Sequence, residues 1–239
     1  MKFKPWIPIL VCLACLACLA CLVLLAIAFV GIDRVAFPPT FVINLDDRTD
    51  RLAEIRTEFR NWPVPVERIS AIRQSPGWKG CSASHLKCIR IAKERNYPWV
   101  LILEDDCVLT PNASRRLHDM LAFLWTNRSR WDIFNGGVTY VKRHNRVARN
   151  PSIHEVYGYA ANLYIVHRAV YDRILNGHPT HPNDFQHPID VYYADTLRIW
   201  TTTPYLSKQR PGASDIVGDK KVEDYTHLFD DAEAMLTDS

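Results

Sequence analysis

Trp99-Val100-Leu101-Ile102-Leu103 is an uninterrupted apolar run that ends directly on three adjacent carboxylates, Glu104-Asp105-Asp106. A run without polar alternation reads as a strand covered on both faces, and such a strand needs helices on each side of its sheet. The neighbouring segments fit that demand. Residues 41–45, 66–72, 131–134, 163–166 and 199–203 are short runs bounded by turn residues and read as strands. Residues 50–60 and 82–95 carry apolar side chains at helical spacing. So do a segment that Asn112 can cap, a stretch running through Leu175, and residues 191–197. Strands alternating with helices predict an α/β sandwich with a mainly parallel central sheet.

Composition narrows the class. The 239 residues include only nine glycines, and 11% are aromatic, which excludes a fibrous or disordered chain. Lys and Arg number 29 against 26 Asp and Glu, too even a balance for a nucleic-acid partner. Residues 142–149 are basic and read as a surface loop. The last twenty residues are acidic and read as a poorly packed tail.

Residues 6–32 contain no charged side chain, and Leu, Ile, Val, Ala and Cys dominate them. A bilayer-spanning helix needs about 20 such residues, whereas the core of a cleaved leader needs only ~7–15, so a retained anchor is expected. Lys2 and Lys4 precede the span and Asp33-Arg34 follow it. The positive-inside rule then leaves the N-terminus in the cytoplasm and the domain beyond the membrane. If the cell is eukaryotic, or a virus uses one, that far side is the lumen of the endoplasmic reticulum or Golgi. The expected organisation is an anchor over 1–36, a globular domain over 37–217 and an acidic tail over 218–239. Cys12, Cys15, Cys18 and Cys21 form a loose stripe in the span, leaving only Cys81, Cys88 and Cys107 in the domain. Three scattered cysteines make no disulfide framework.

In open α/β sheets, ligands bind beyond the carboxyl ends of the strands, which is where the triplet sits. Adjacent carboxylates repel one another near a core unless a cation compensates them, and oxygen ligands suit Mg²⁺ or Mn²⁺. The competing reading is a solvated acidic turn.

Ordered blocks around the triplet separate the two. Val42-Ile43-Asn44-Leu45-Asp46-Asp47-Arg48-Thr49-Asp50-Arg51-Leu52 resembles the opening motif of glycosyltransferase family 25. Gly80-Cys81-Ser82-Ala83-Ser84-His85 is similar to its next signature, and Leu101-Ile102-Leu103-Glu104-Asp105-Asp106 to its acidic one. Residues 159–166, His187-Pro188-Ile189-Asp190, and Gln209 with Ser214-Asp215-Ile216 resemble the remaining blocks in the expected order. The resemblance covers residues 41–216.

That resemblance implies a GT-A-like fold, a nucleotide-sugar donor such as a UDP-hexose, and a divalent ion. It implies inverting transfer of a hexose, galactose or glucose, to an acceptor hydroxyl on a glycan, a lipid-linked glycan or a protein. By the same analogy Asp106 binds the metal, while Glu104 and Asp105 contact the donor ribose or metal-bound water. Inversion also needs a base opposite the leaving group. Asp190 is the candidate, with Asp195 behind it, and the competing role for Asp190 is capping the helix that follows. Arg48 and Arg51 can reach the nucleotide phosphates or lie on the surface of their helix. Asn44 can contact the donor or satisfy backbone groups at its strand end. Ser84 and His85 lie near the donor or pack beneath it. Asp215 approaches the site from the far end of the domain or is a turn residue after Pro211-Gly212. Cys81, His85 and Cys88 share a helix face and superficially suggest zinc, but no fourth ligand has convincing spacing. Two other classes compete with the transferase. One is a non-catalytic membrane protein that binds nucleotide sugars or glycans. The other is a metal-dependent hydrolase using His178, His181 and His187.

Overall fold

The computed structural model describes residues 35–177, 188–213 and 222–238. The chain divides into two units, Met1–Ala36 and Phe37–Ser239. The apolar segment 6–32 lies outside the described residues, and among those described no helix is long and apolar enough to cross a membrane.

The second unit opens with β1 (Thr40–Asn44), α1 (Thr49–Glu58), β2 (Val66–Ser70), α2 (Gly77–Glu94) and β3 (Trp99–Glu104). Then come β4 (Cys107–Leu109), α3 (Ala113–Thr126), β5 (Ile133–Asn135), β6 (Thr139–Arg149), β7 (Ser152–Tyr159) and β8 (Leu163–His167). It continues through α4 (Arg168–Gly177), α5 (Ile189–Thr196), β9 (Ile199–Thr202), β10 (Ser207–Gln209), β11 (Gly212–Ala213), β12 (Val222–Glu223) and α6 (Thr226–Thr237). Eight strands form one sheet in the order β2-β1-β3-β8-β5-β9-β7-β6. β1 runs parallel to β2 and β3, and β5 parallel to β9. β8 is antiparallel to both β3 and β5, and β7 to both β9 and β6. Only β8 and β7 therefore oppose the common direction, and the sheet is mixed but mainly parallel.

β3 lies in the sheet's interior, and Val100, Leu101, Ile102 and Leu103 are all fully buried. Val100 and Ile102 pack with Leu86 and Ile89 of α2 and with Tyr164 and Val166 of β8. The two-residue period turns Trp99 the other way, where its ring meets Trp125 of α3 edge-on at 5.1 Å. Helices on both faces thus explain the apolar continuity of the run, each large side chain contributing about 1.5–3 kcal/mol by burial.

Four expectations need correction. The basic stretch 142–149 is not a loop but most of β6, the outermost strand, hydrogen-bonded to β7. Its charges fit an edge strand, where they block pairing with another chain. The acidic end is not poorly packed. α6 lies against β6 and buries Phe229, Ala232 and Leu236, three residues at helical spacing that the surrounding carboxylates masked in the sequence. Helix α2 begins at Gly77, five residues before the expected Ser82, because Pro76 in extended backbone starts it and Gly80 lies inside it. Asn112 makes no side-chain cap to α3. It takes the left-handed conformation instead, with φ 58°, which its short polar side chain tolerates.

Candidate active site

The cleft starts from strand register. β1 and β3 pair in parallel with Ile43 opposite Glu104, so Asn44 and the acidic triplet emerge at the same sheet edge. The segment 71–76 between β2 and α2 forms the facing wall. A cleft of about 410 Å³ lies between them, lined by Asn44, Arg51, Ala71, Arg73, Gln74, Pro76, Cys81, Ser84, Glu104, Asp105, Asp106 and Gln209, among others. Ser84 holds that wall in place. Its hydroxyl accepts the Ile72 N–H and donates to the Gly80 carbonyl, each at 2.7 Å.

Asp105 and Asp106 converge on Arg51, and Glu104 turns away from them. Asp105 accepts hydrogen bonds from Asn44 Nδ2 at 2.7 Å and from Arg51 Nη1 at 2.9 Å. Arg68 Nε in turn donates to Asn44 Oδ1 at 2.8 Å, so the Asn44 amide is fixed as a donor to Asp105. Asp106 Oδ2 accepts from Arg51 at 3.2 Å and from Gln209 at 3.1 Å. Its other oxygen, Oδ1, is buried with no hydrogen-bond partner. Glu104 turns toward α2, where its Oε1 lies 3.1 Å from His85 Nε2 and 3.5 Å from Cys81 Sγ. His85 Nδ1 lies 3.0 Å from the Tyr164 hydroxyl, itself 3.1 Å from that of Tyr193.

Burial dominates the electrostatics. It raises the Asp105 carboxyl above its usual range, against the lowering effects of Asn44 and Arg51. Asp106 is pushed up to about 7, first by burial and then by the negative charge of Glu104. Burial, followed by Glu104, also drives the Cys81 thiol well above its ordinary value. An acidic cluster facing one guanidinium, with an orphaned carboxylate oxygen, is an arrangement that a bound cation relieves.

The remaining sequence candidates divide. Arg48 pairs with Asp50 at 2.9 Å and does not line the cleft. Asp195 is exposed and accepts a hydrogen bond from the Tyr157 hydroxyl at 2.5 Å. Asp190 Oδ1 accepts its neighbour Val191 N–H at 2.9 Å at the start of α5, and Oδ2 accepts Ala160 N–H at 3.2 Å just after β7, so both oxygens hold backbone groups. Burial raises its carboxyl, and Glu104 contributes in the same direction. Asp215 and His187 lie outside the described residues. Of two further cleft residues, Gln209 stands in the last of the resembling blocks without a role, and Arg73 has no sequence signal. Gln209 reaches Asp106 because β10 pairs with β4, setting Gln209 opposite Cys107. Arg73 lines the facing wall and pairs with Asp47 at 2.7 Å.

Ala160, which links Asp190 to β7, has φ 87°, a conformation a Cβ disfavours by about 1–2 kcal/mol. Asn135 Nδ2 holds its carbonyl at 2.7 Å. Ala160→Gly should therefore leave the melting temperature unchanged or slightly higher. A fall of more than about 4 °C in a thermal melt would show that the position is not strained.

Comparison with known proteins bears on what this cleft does. The sequence profile of glycosyltransferase family 25, described as an LPS biosynthesis protein family, matches residues 74–150. A search of curated proteins finds no match. Among solved structures, A197 from STIV aligns with a TM-score of 0.46 at 14% identity, covering 79% of this chain and 95% of that one. A glycosyltransferase involved in glycosylation of the major capsid of PBCV-1 aligns at 0.43 and 9%, over 66% of this chain and 75% of that one. Mannose-1-phosphate geranyltransferase from Thermus thermophilus aligns at 0.41 and 11%, over 75% and 64%. The profile match spans both the Gly80-to-His85 block and the acidic triplet, which line the same cleft, so residues 74–150 are similar to glycosyltransferase family 25.

Proposed function

We propose that the cleft binds a UDP-hexose, carrying galactose or glucose, with Mn²⁺ or Mg²⁺ on Asp106, and passes the hexose to an acceptor hydroxyl with inversion. The observation that carries this reading is the unpartnered Asp106 Oδ1, buried at the carboxyl end of β3 beside two further acids. That donor set is all oxygen and fits a hard divalent ion. When bound, such an ion supplies charge neutralisation for the departing diphosphate. The mainly parallel half of the sheet, β2-β1-β3, supports a GT-A-like description.

The chain's own residues supply the rest. Asn44 and Arg51 fix Asp105 as a hydrogen-bond acceptor suited to ribose hydroxyls. Arg51 and Arg73 bring positive charge to the cleft for phosphate oxygens. In the transfer, the acceptor oxygen attacks the anomeric carbon while the carbon–oxygen bond to the diphosphate breaks, its electron pair leaving with the nucleotide. Asp190 takes the hydroxyl proton, and burial makes it a stronger base than an ordinary aspartate. Residues 6–32 anchor the enzyme in the membrane, the domain lying on the non-cytoplasmic side. Its acceptor is a glycan, lipid-linked or protein hydroxyl.

Titration calorimetry with UDP-galactose and UDP-glucose, in manganese and in EDTA, tests the donor site. Binding should require the metal. Arg51→Ala should weaken it about 10–100-fold, the loss expected for charge-assisted hydrogen bonds of about 1.5–3 kcal/mol. Metal-independent binding, or none with either donor, would refute the donor assignment. Proton NMR of the product reports the anomeric configuration, and retention would remove Asp190 from the base role.

A further inference from the structure

Cys81 and His85 lie four residues apart on α2, one turn of helix, and both side chains reach Glu104 at the end of β3. We infer that these three residues form a second metal site, for a zinc-class divalent ion, separate from the oxygen site at Asp106. The sulfur, imidazole nitrogen and carboxylate oxygen all lie within 4.8 Å of one another. With Zn–N and Zn–O bonds of about 2.0–2.1 Å and Zn–S of about 2.3 Å, a tetrahedron has N–O edges of about 3.3 Å and S–O edges of about 3.6 Å. The observed separations, 3.1 Å from His85 Nε2 and 3.5 Å from Cys81 Sγ to the same Glu104 oxygen, already approach those edges. The third pair, Cys81 Sγ and the His85 nitrogen, lies within 4.8 Å and must stand at about 3.6 Å when the ion is bound.

The donor types also select the metal. A thiolate and an imidazole favour zinc over magnesium or manganese, whereas Asp106 offers only oxygen. Three protein ligands with the fourth position left open are the pattern of reactive zinc sites rather than structural ones, so a fourth side chain is not required. Here Cys81 and Glu104 both line the cleft, so the open position faces it. Cys88, the other cysteine on α2, is fully buried away from the group.

The surroundings of His85 resemble the outer shell that metal-bound imidazoles need. Its Nδ1 meets the Tyr164 hydroxyl, which meets that of Tyr193. For His85 Nε2 to offer a lone pair, the proton must sit on Nδ1 and donate to Tyr164, whose own hydroxyl then donates to Tyr193. This hydroxyl ladder accepts that polarity as readily as the reverse, and it fixes the ring plane. Binding displaces the Cys81 proton, so occupancy should rise with pH.

Cobalt(II) is the probe, added to the full chain in detergent, because a cobalt–thiolate bond gives an intense near-ultraviolet charge-transfer band. The band should appear at one equivalent, vanish in Cys81→Ser, weaken at least tenfold in affinity in His85→Gln, and persist in Cys88→Ser. The four cysteines of the apolar segment are common to every variant. X-ray absorption of the zinc-loaded wild type should show one sulfur at about 2.3 Å with nitrogen and oxygen neighbours, and needs no variant. No band in the wild type, a band that survives Cys81→Ser, or zinc with several sulfurs would overturn the site. Manganese-dependent UDP-hexose binding without any of these signals would sink the zinc site alone and leave the donor reading standing.

Discussion

Asp106→Asn is expected to reduce hexose transfer by on the order of 10²–10³-fold while leaving the metal-free protein at least as stable as wild type. The two halves of this expectation have one cause. Asp106 is buried beside Glu104 and Asp105, with Arg51 as the cation in contact and one carboxylate oxygen unpaired. In the absence of a bound ion its charge opposes folding, and an amide of the same shape does not. The pH dependence follows in sign. The folded-state value of about 7 lies above the ordinary 3.8, so between those limits the folded protein holds more protons than the unfolded chain. Stability should fall as pH rises through that window and level off above it. The Asn variant should show a shallower fall rather than none, since Asp105 and Asp190 are raised in the same direction. Thermal melts in EDTA at about pH 4.5, 6 and 7.5, the window that linkage sets, give the comparison. An Asn variant that is less stable than wild type at neutral pH, or that keeps full activity, would remove Asp106 from the metal role.

The sequence revealed the position of the triplet but not the division of labour within it. β3 was legible because a strand buried on both faces has no polar alternation, and the acids after it must then lie at a sheet edge. That Asp105 is held by Asn44 and Arg51 depends on parallel pairing of β1 with β3, and a single sequence carries no register between strands so far apart. The same limit hid the reach of Gln209 to Asp106, which comes through a three-residue strand, and the place of Arg73, which sits in a segment without motif. It also explains the incomplete zinc suggestion. Helical spacing brought Cys81, His85 and Cys88 together on one face, but the third ligand-type side chain comes from β3. At the other end of the sheet, charge was misleading. Basic residues on β6 and acidic residues on α6 looked like solvated chain. Yet an edge strand tolerates charge on its exposed face, and three apolar residues suffice to seat a short helix.

Gly80→Ala should cost more than a helix-interior glycine ordinarily would, and in the opposite direction. Replacing glycine by alanine inside a helix normally stabilises by about 0.5–1 kcal/mol. A Cβ on Gly80, however, would lie 2.3 Å from the Ile72 carbonyl oxygen and 2.8 Å from the Gln74 amide nitrogen. Both are backbone atoms of the facing wall, so no rotamer change can make room. Either α2 or segment 71–76 must retreat. Retreat breaks the Ser84 hydroxyl bridge between Ile72 and Gly80, and it widens the cleft where Arg73 and Gln74 face the acids. Overpacking of this kind costs about 1–3 kcal/mol, which in a domain of this size lowers the melting temperature by about 2–12 °C. UDP-hexose affinity should fall at least about tenfold, because a 1.4 kcal/mol loss of wall contacts already gives that factor. Ser84→Ala removes the bridge without the clash and should fall between the two proteins in both measurements. A Gly80→Ala enzyme that melts and binds donor like wild type would show that the helix does not approach the wall this closely. The cleft would then be shaped by the β3 side alone.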